Sequence, residues 1–287
     1  PAAPLRLLAV ALLFSTGGAA IKATAFTSWQ VAGLRSGVAA LAVWLLVPAS
    51  RRLRGGGPIN LLTALAYAAT LTLYVLANKL TTAANTIFLQ STAPLYILLF
   101  GPLLLRERIT GRDLAFMAAV AAGMGLFFVG RQARFATAPD PFHGNLLAAC
   151  SGFTYAGMIL GLRWMGARGG VPAGAVALGN LGAFLIALPF LFPLGHHGLR
   201  DWALILYLGT IQIGVAYDLL TRAMPHIPAL EASLLLFLEP ALNPVIAWAV
   251  HGEYPGRWAL VGGVVIMGAT ALKSWLEARR LPPAAVG

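Results

Sequence analysis

Four ionisable side chains lie inside long apolar stretches of this sequence: Arg35, Asp218, Glu231 and Glu239. A charge in a hydrocarbon setting is costly, so such residues mark a binding site, a proton relay or an ion pair. Glu239 is the deepest carboxyl and stands directly before Pro240. Buried there it has to be protonated, paired or wet. It is the first candidate for a proton-responsive or gating group, the alternative being a neutral acid bonded to a carbonyl that the proline frees. Glu231 opens the same stretch, where a helix N-terminus favours a carboxylate, and is a second gating candidate. Asp218 has Arg222 four residues on, the spacing of a helical ion pair, and reads as a helix-end residue. Arg35 lies between Gly33 and Gly37 and can hold a substrate carboxylate through two parallel hydrogen bonds. It can equally lock onto Glu231 or Glu239, or reach for the membrane interface. Lys22, near the end of the first apolar stretch, reads as a lysine extending its ammonium to that interface.

Hydrogen-bonding groups accompany these charges. Tyr67, Tyr74 and Asn78 are spaced seven and four apart and share one helical face. Asn85, Gln90 and Tyr96 follow in the next segment, Tyr155 in a later one, and Gln212 and Tyr217 in another. A cavity lined by Tyr, Asn and Gln suits a solute with an apolar body and a few polar groups. The candidate substrate-binding set is therefore Arg35, Tyr74, Asn78, Asn85, Gln90, Tyr96, Tyr155, Gln212 and Tyr217. For the tyrosines the competing role is packing with a satisfied hydroxyl. The candidate gating set is Glu239, Glu231, Pro94 and Pro240. A proline removes one helical hydrogen bond and kinks the axis. Freed carbonyls at membrane depth are tolerated only against protein or a cavity.

The elements that must position these groups follow from composition. Of 287 residues, 59% are hydrophobic and 10% are charged. Soluble domains carry about 25% charged residues, so this chain cannot cover a water-facing surface. The expected class is an all-α polytopic membrane protein. Its net charge of +11 is spread between apolar runs rather than gathered in a patch, which excludes nucleic acid as a partner and points to lipid headgroups. Ten spans can be laid out: 4–22, 30–48, 59–78, 83–105, 113–130, 144–165, 174–194, 202–221, 228–250 and 257–276. With both termini cytoplasmic, thirteen Lys and Arg residues fall on the cytoplasmic side, six fall outside and Arg35 lies within a span. The positive-inside rule then gives an N-in, C-in topology. Arginine outnumbers lysine seventeen to three, which points to a high-GC bacterium and its inner membrane. Cys150 is the single cysteine; it permits no internal disulfide and reads as a packing residue.

The two halves of the chain resemble each other. Pro94 is followed thirteen residues later by Glu107, and Pro240 thirteen residues later by Glu253. Gly111-Arg112 with Gly123 matches Gly256-Arg257 with Gly268. Leu7-Leu8-Ala9, Phe14-Ser15 and Gly18 match Leu146-Leu147-Ala148, Phe153-Thr154 and Gly157. This is a tandem repeat, divided as residues 1–138 and 139–287. Five spans per half make the second half inverted, a hallmark of secondary transporters with substrate sites near the midplane. Glu107 and Glu253 are expected to pair with nearby arginines or to cap the helix that follows.

The Pro-x12-Glu element, the Gly-Arg after it and the small-residue helix that follows, present in both halves, resemble the EamA repeat of the drug/metabolite transporter superfamily, and within it the exporters of aromatic amino acids. The resemblance implies a ten-helix exporter working by alternating access through a central cavity between the repeats, gradient-linked or facilitative. Its implied substrates are small amphipathic metabolites, aromatic or apolar amino acids foremost. An exporter of another metabolite or drug class, and an uncoupled channel, stay open beside it. An enzyme is not expected. The sequence has no HExxH, CxxC, Walker loop or Gly-x-Ser-x-Gly elbow, and neither a metal nor a cofactor is called for. A monomer suffices, because both halves lie in one chain.

Overall fold

The computed structural model describes residues 2–48, 57–105, 109–129, 134–167, 172–227 and 229–278. Among them every regular element is helical. The first half of the chain forms α1 (Ala2–Ser15), α2 (Gly17–Ala23), α3 (Ser28–Leu46), α4 (Pro58–Leu80), α5 (Ala83–Gln90), α6 (Ala93–Leu105) and α7 (Gly111–Leu126). The second half forms α8 (Pro141–Ala167), α9 (Pro172–Ala187), α10 (Leu199–Leu206), α11 (Ala216–Ala223), α12 (Ala229–Leu236), α13 (Leu238–His251) and α14 (Arg257–Ala278).

Several of these helices are pieces of one span. Among the described residues, nine stretches are long and apolar enough to cross a bilayer, including Ala2–Ala23, Leu199–Ala223 and Leu234–His251. The expected fifth span appears as α7, sixteen residues long. Its start is fixed by Thr110, whose hydroxyl accepts from the Asp113 N–H while the Asp113 carboxylate takes the Thr110 N–H, a reciprocal cap that satisfies two end donors.

The fourth and ninth expected spans are broken just before their prolines. α5 ends at Gln90 and α6 begins at Ala93, one residue before Pro94; α12 ends at Leu236 and α13 begins at Leu238, two residues before Pro240. A proline has no N–H and its ring collides with the carbonyl four residues back, which are those of Gln90 and Leu236. The expected kinks are therefore full interruptions of the helix. The seventh stretch carries a different irregularity. Tyr207–Val215 is π-helical between α10 and α11, a wider winding often found at functional sites, and nothing in its sequence announces it.

The two halves interlock. α4 lies along α8 and α9, α3 along α9 and the π segment, and α7 along α14. Without water to drive helices together, close approach between small residues supplies the contact. Gly152 on α8 sits against the break in the fourth span. A Cβ there would lie 2.8 Å from the Leu89 carbonyl oxygen and 3.0 Å from the Thr92 hydroxyl. Gly152→Leu is expected to cost about 1–3 kcal/mol of overpacking, seen as a lower unfolding temperature in detergent. An unchanged melting curve would show that α8 does not press on this break.

Candidate functional site

The middle of the helix bundle holds a connected set of buried polar side chains. Arg35 on α3 is 3% exposed and lies within electrostatic reach of the Tyr67 and Tyr74 hydroxyls of α4. Their seven-residue spacing puts both on the face of α4 that meets α3, as the helical period requires. Asn180 of α9 stands beside Tyr67. The Tyr74 hydroxyl accepts from the Asn243 side chain of α13 at 3.5 Å. Glu239, in the first turn of α13, acts on both Tyr74 and Tyr155, and Tyr155 and Tyr217 both sense Tyr67. On the far side, Gly17 and Gly18 of α2 come against Gln212 and Asn243. A Cβ on Gly17 would meet the Gln212 amide nitrogen at 2.8 Å, and one on Gly18 the Asn243 amide oxygen at 2.9 Å.

Many polar atoms here have no partner within the protein. They include Nε and Nη1 of Arg35 and the amide oxygens of Asn78, Asn180, Gln212 and Asn243. The amide nitrogens of Asn78 and Asn180 are occupied, donating to the Tyr74 and Val176 carbonyls at 3.0 Å each. An unsatisfied buried polar group costs about 1–3 kcal/mol. A fold that keeps several of them together, in donor and acceptor forms, is arranged to meet groups from outside the chain.

Of the sequence-predicted residues, the structure gathers Arg35, Tyr74, Asn78, Tyr155, Gln212, Tyr217 and Glu239 in or beside this constellation. Pro240 is buried one residue beyond Glu239. Four others stand elsewhere. The Asn85 amide donates to Thr81 and to Asn145 of α8 at 3.3 and 3.1 Å, tying helix ends. Gln90 donates to Ser151 at 2.8 Å beside the broken fourth span. The Tyr96 hydroxyl points to the Met124 sulfur at 3.7 Å, and its ring meets Phe153 edge-on. Glu231 is exposed in the first turn of α12. Pro94 borders a separate cavity between α6, α7 and α14. Reading the sequence alone left Asn180 and Asn243 out. Each is an amide within an apolar run, and Asn243 lies between Pro240 and Pro244, a placement that singles it out.

One end of the bundle is tied shut, and two sequence expectations change there. Lys22 does not extend to an interface. Its ammonium is buried 2.9 Å from the Glu253 carboxylate and donates to the Thr81 carbonyl at 2.7 Å. Glu253 pairs with this lysine rather than with an arginine. It also accepts from the N–H of Ala83 at 3.1 Å and from the Thr137 hydroxyl, so it caps α5 and not the helix after it. The physical reason is tertiary: the ends of α2, α4 and α5 and the turn after α13 converge, and each buried charge finds the other. Lys79 adds a bond to the Thr24 carbonyl at 2.7 Å, and Asp201 accepts from the Ala25 N–H at 2.8 Å. Asp218 pairs with Arg222 at 2.9 Å, as the spacing predicts. Cys150 is exposed on α8 rather than packed inside. Glu107 lies outside the described residues. No cluster of metal-binding side chains occurs among the described residues.

Known proteins resemble this chain over nearly all of its length. The model of the EamA-like transporter family matches residues 3–129 and 142–275. The pseudopaline exporter CntI of Pseudomonas aeruginosa is 26% identical over 91% of this chain and 92% of its own length. An uncharacterized transporter of Bacillus subtilis, YdfC, is 39% identical, with a match that covers 22% of this chain and only 21% of that protein. A solved crystal structure, 20% identical, shares the fold with a TM-score of 0.61 over 96% of this chain and 98% of its own.

Proposed function

Because this chain belongs to the EamA-like transporter family, and so is a multi-pass membrane transporter rather than an enzyme, we propose that it exports small amphipathic metabolites, foremost amino acids with aromatic or apolar side chains. The observation that carries this reading is the buried Arg35 guanidinium, with Nε and Nη1 unbonded inside the protein and two tyrosines beside it. A carboxylate placed there receives a two-pronged charged hydrogen bond. Glu239 lies across Tyr74 from Arg35, on the side where the ammonium of the same substrate would lie. Tyr67, Tyr74, Tyr155 and Tyr217 offer aromatic surface between and around these charges, and aromatic rings stack well on one another. The orphaned amide oxygens of Asn78, Asn180, Gln212 and Asn243 accept the remaining protons.

Transport follows by alternating access. Ten spans, arranged N-in and C-in as inverted repeats 1–138 and 139–287 in a bacterial inner membrane, place Lys22–Glu253 at the outer face. The latch there closes the site from outside while the inner end exchanges substrate; parting of the latch releases substrate outward. The breaks before Pro94 and Pro240 let the half-helices tilt separately. Two matching stretches of the family, 3–129 and 142–275, support the division into repeats, and the exporter among the relatives supports the direction. One chain carries the whole site, so a monomer is sufficient.

Uptake of labelled phenylalanine or tryptophan by liposomes containing only this protein tests the reading. Saturable uptake competed by other aromatic amino acids is expected. With Glu239→Gln, exchange persists and any stimulation by a pH gradient disappears. Folded protein that moves no aromatic amino acid would remove that substrate class; gradient-driven uptake that survives Glu239→Gln would remove the carboxyl from coupling.

A further inference from the structure

A second cavity, about 880 Å³ in volume, opens between α6, α7 and α14 with Arg163 of α8 at its rim. Its lining changes character along the helices. At the helix ends it is polar: Thr110, Arg112 and Asp113 at the start of α7, Lys273 and Ser274 near the end of α14, and Arg163. One to two turns deeper it is apolar, with Phe116 and Ala119 of α7, Ala269 of α14, and Ile97 and Leu98 of α6. The polar end carries a positive excess. Asp113 is committed to Lys273 and to the Thr110 hydroxyl, which cancels the lysine charge. Arg112 and Arg163 remain, and Arg112 is exposed and has no hydrogen bond or ion pair among the described residues.

We propose that this cavity is a binding site for an anionic phospholipid, its phosphodiester held by Arg112 and Arg163 and an acyl chain lying along Phe116, Ala119, Ile97 and Leu98. The gradient from charge to hydrocarbon runs parallel to the helices, as in a lipid leaflet. Basic pockets between membrane helices hold anionic headgroups, and arginine meets phosphate through its planar fork. A soluble phosphate would match only the polar end and leave the apolar wall unused. The central constellation is not involved, since the two sites share only Pro94 among the candidate residues.

The test is the unfolding temperature of the purified protein in neutral detergent with phosphatidylglycerol, phosphatidylcholine or glycerol phosphate added, with apparent affinities taken from the titrations. Phosphatidylglycerol is expected to stabilise the protein, and phosphatidylcholine to do so far less. Each of Arg112→Gln and Arg163→Gln should weaken phosphatidylglycerol by about fivefold. Ala119→Trp, which fills the apolar half and keeps both arginines, should weaken it as well. Aromatic amino acid uptake in phosphatidylcholine liposomes should be unaltered by Arg112→Gln, which separates failure of this site from failure of the transport reading. Equal stabilisation by both lipids would overturn the proposal, as would full stabilisation by glycerol phosphate, which marks a soluble-anion site.

Discussion

Replacing Arg35 with methionine should abolish uptake of carboxylate-bearing substrates while raising the unfolding temperature of the protein. The two effects have one cause. A guanidinium at 3% exposure with Nε and Nη1 unbonded within the chain is a net cost to the fold, and an apolar side chain of similar length removes it. The same atoms are what a substrate carboxylate would bind. Loss of one partner of a buried charged hydrogen-bonded pair costs about 2–5 kcal/mol, equivalent to about 30- to 5,000-fold in affinity. Arg35→Lys keeps the charge but not the fork and should fall between. The sharpest measurement compares phenylalanine with phenylalaninamide as competitors: the parent protein should discriminate strongly and Arg35→Met hardly at all. A structural lock predicts the reverse pattern, with stability falling and discrimination unchanged. That outcome would remove Arg35 from the binding site.

The second large effect concerns the Lys22–Glu253 latch. Both side chains are essentially sealed from solvent, and the carboxylate also satisfies the first N–H of α5 and the Thr137 hydroxyl. Removing one partner of a buried pair leaves the other charge unpaired and costs about 3–5 kcal/mol. Lys22→Met and Glu253→Leu should each lower the unfolding temperature sharply. The double variant should recover much of the loss, because no lone charge then remains buried. A double-mutant cycle measures the coupling directly. The single variants should also hold the latched state less well, so that substrate exchange, measured in those that insert correctly, shows leak when no gradient is applied. A coupling energy below about 0.5 kcal/mol, the size of ordinary non-additivity between independent sites, would show that the pair does not hold the end closed.

Much of the chain was legible as text. Long apolar runs with few charges admit one solution in lipid, since every backbone N–H and C=O must be bonded within the segment; the helices follow from that alone. The place of the interruptions was legible too, because Pro94 and Pro240 lose specific hydrogen bonds whatever surrounds them. So was the pair Asp218–Arg222, which depends only on helical spacing. Arg35, Tyr74, Tyr155 and Glu239 could be picked out as costly groups in apolar surroundings, although nothing in the sequence showed that they meet.

What only the tertiary structure decided is which costly groups find partners. Lys22 and Glu253 are 231 residues apart, and their burial as a pair depends on the convergence of α2, α4, α5 and the turn after α13. Asn85 and Gln90 belong to helix-tying contacts because α8 approaches α5 there, through glycines whose missing side chains carry no outward signal. The π winding around Gln212 arises between neighbours, not from local propensity. The sequence by itself determined that this chain spans a membrane and where its helices break, because lipid leaves the backbone no alternative. The assignment of each polar side chain to a bond, a latch or an unfilled site waited for the fold, because a polar group is costly or useful according to what stands beside it.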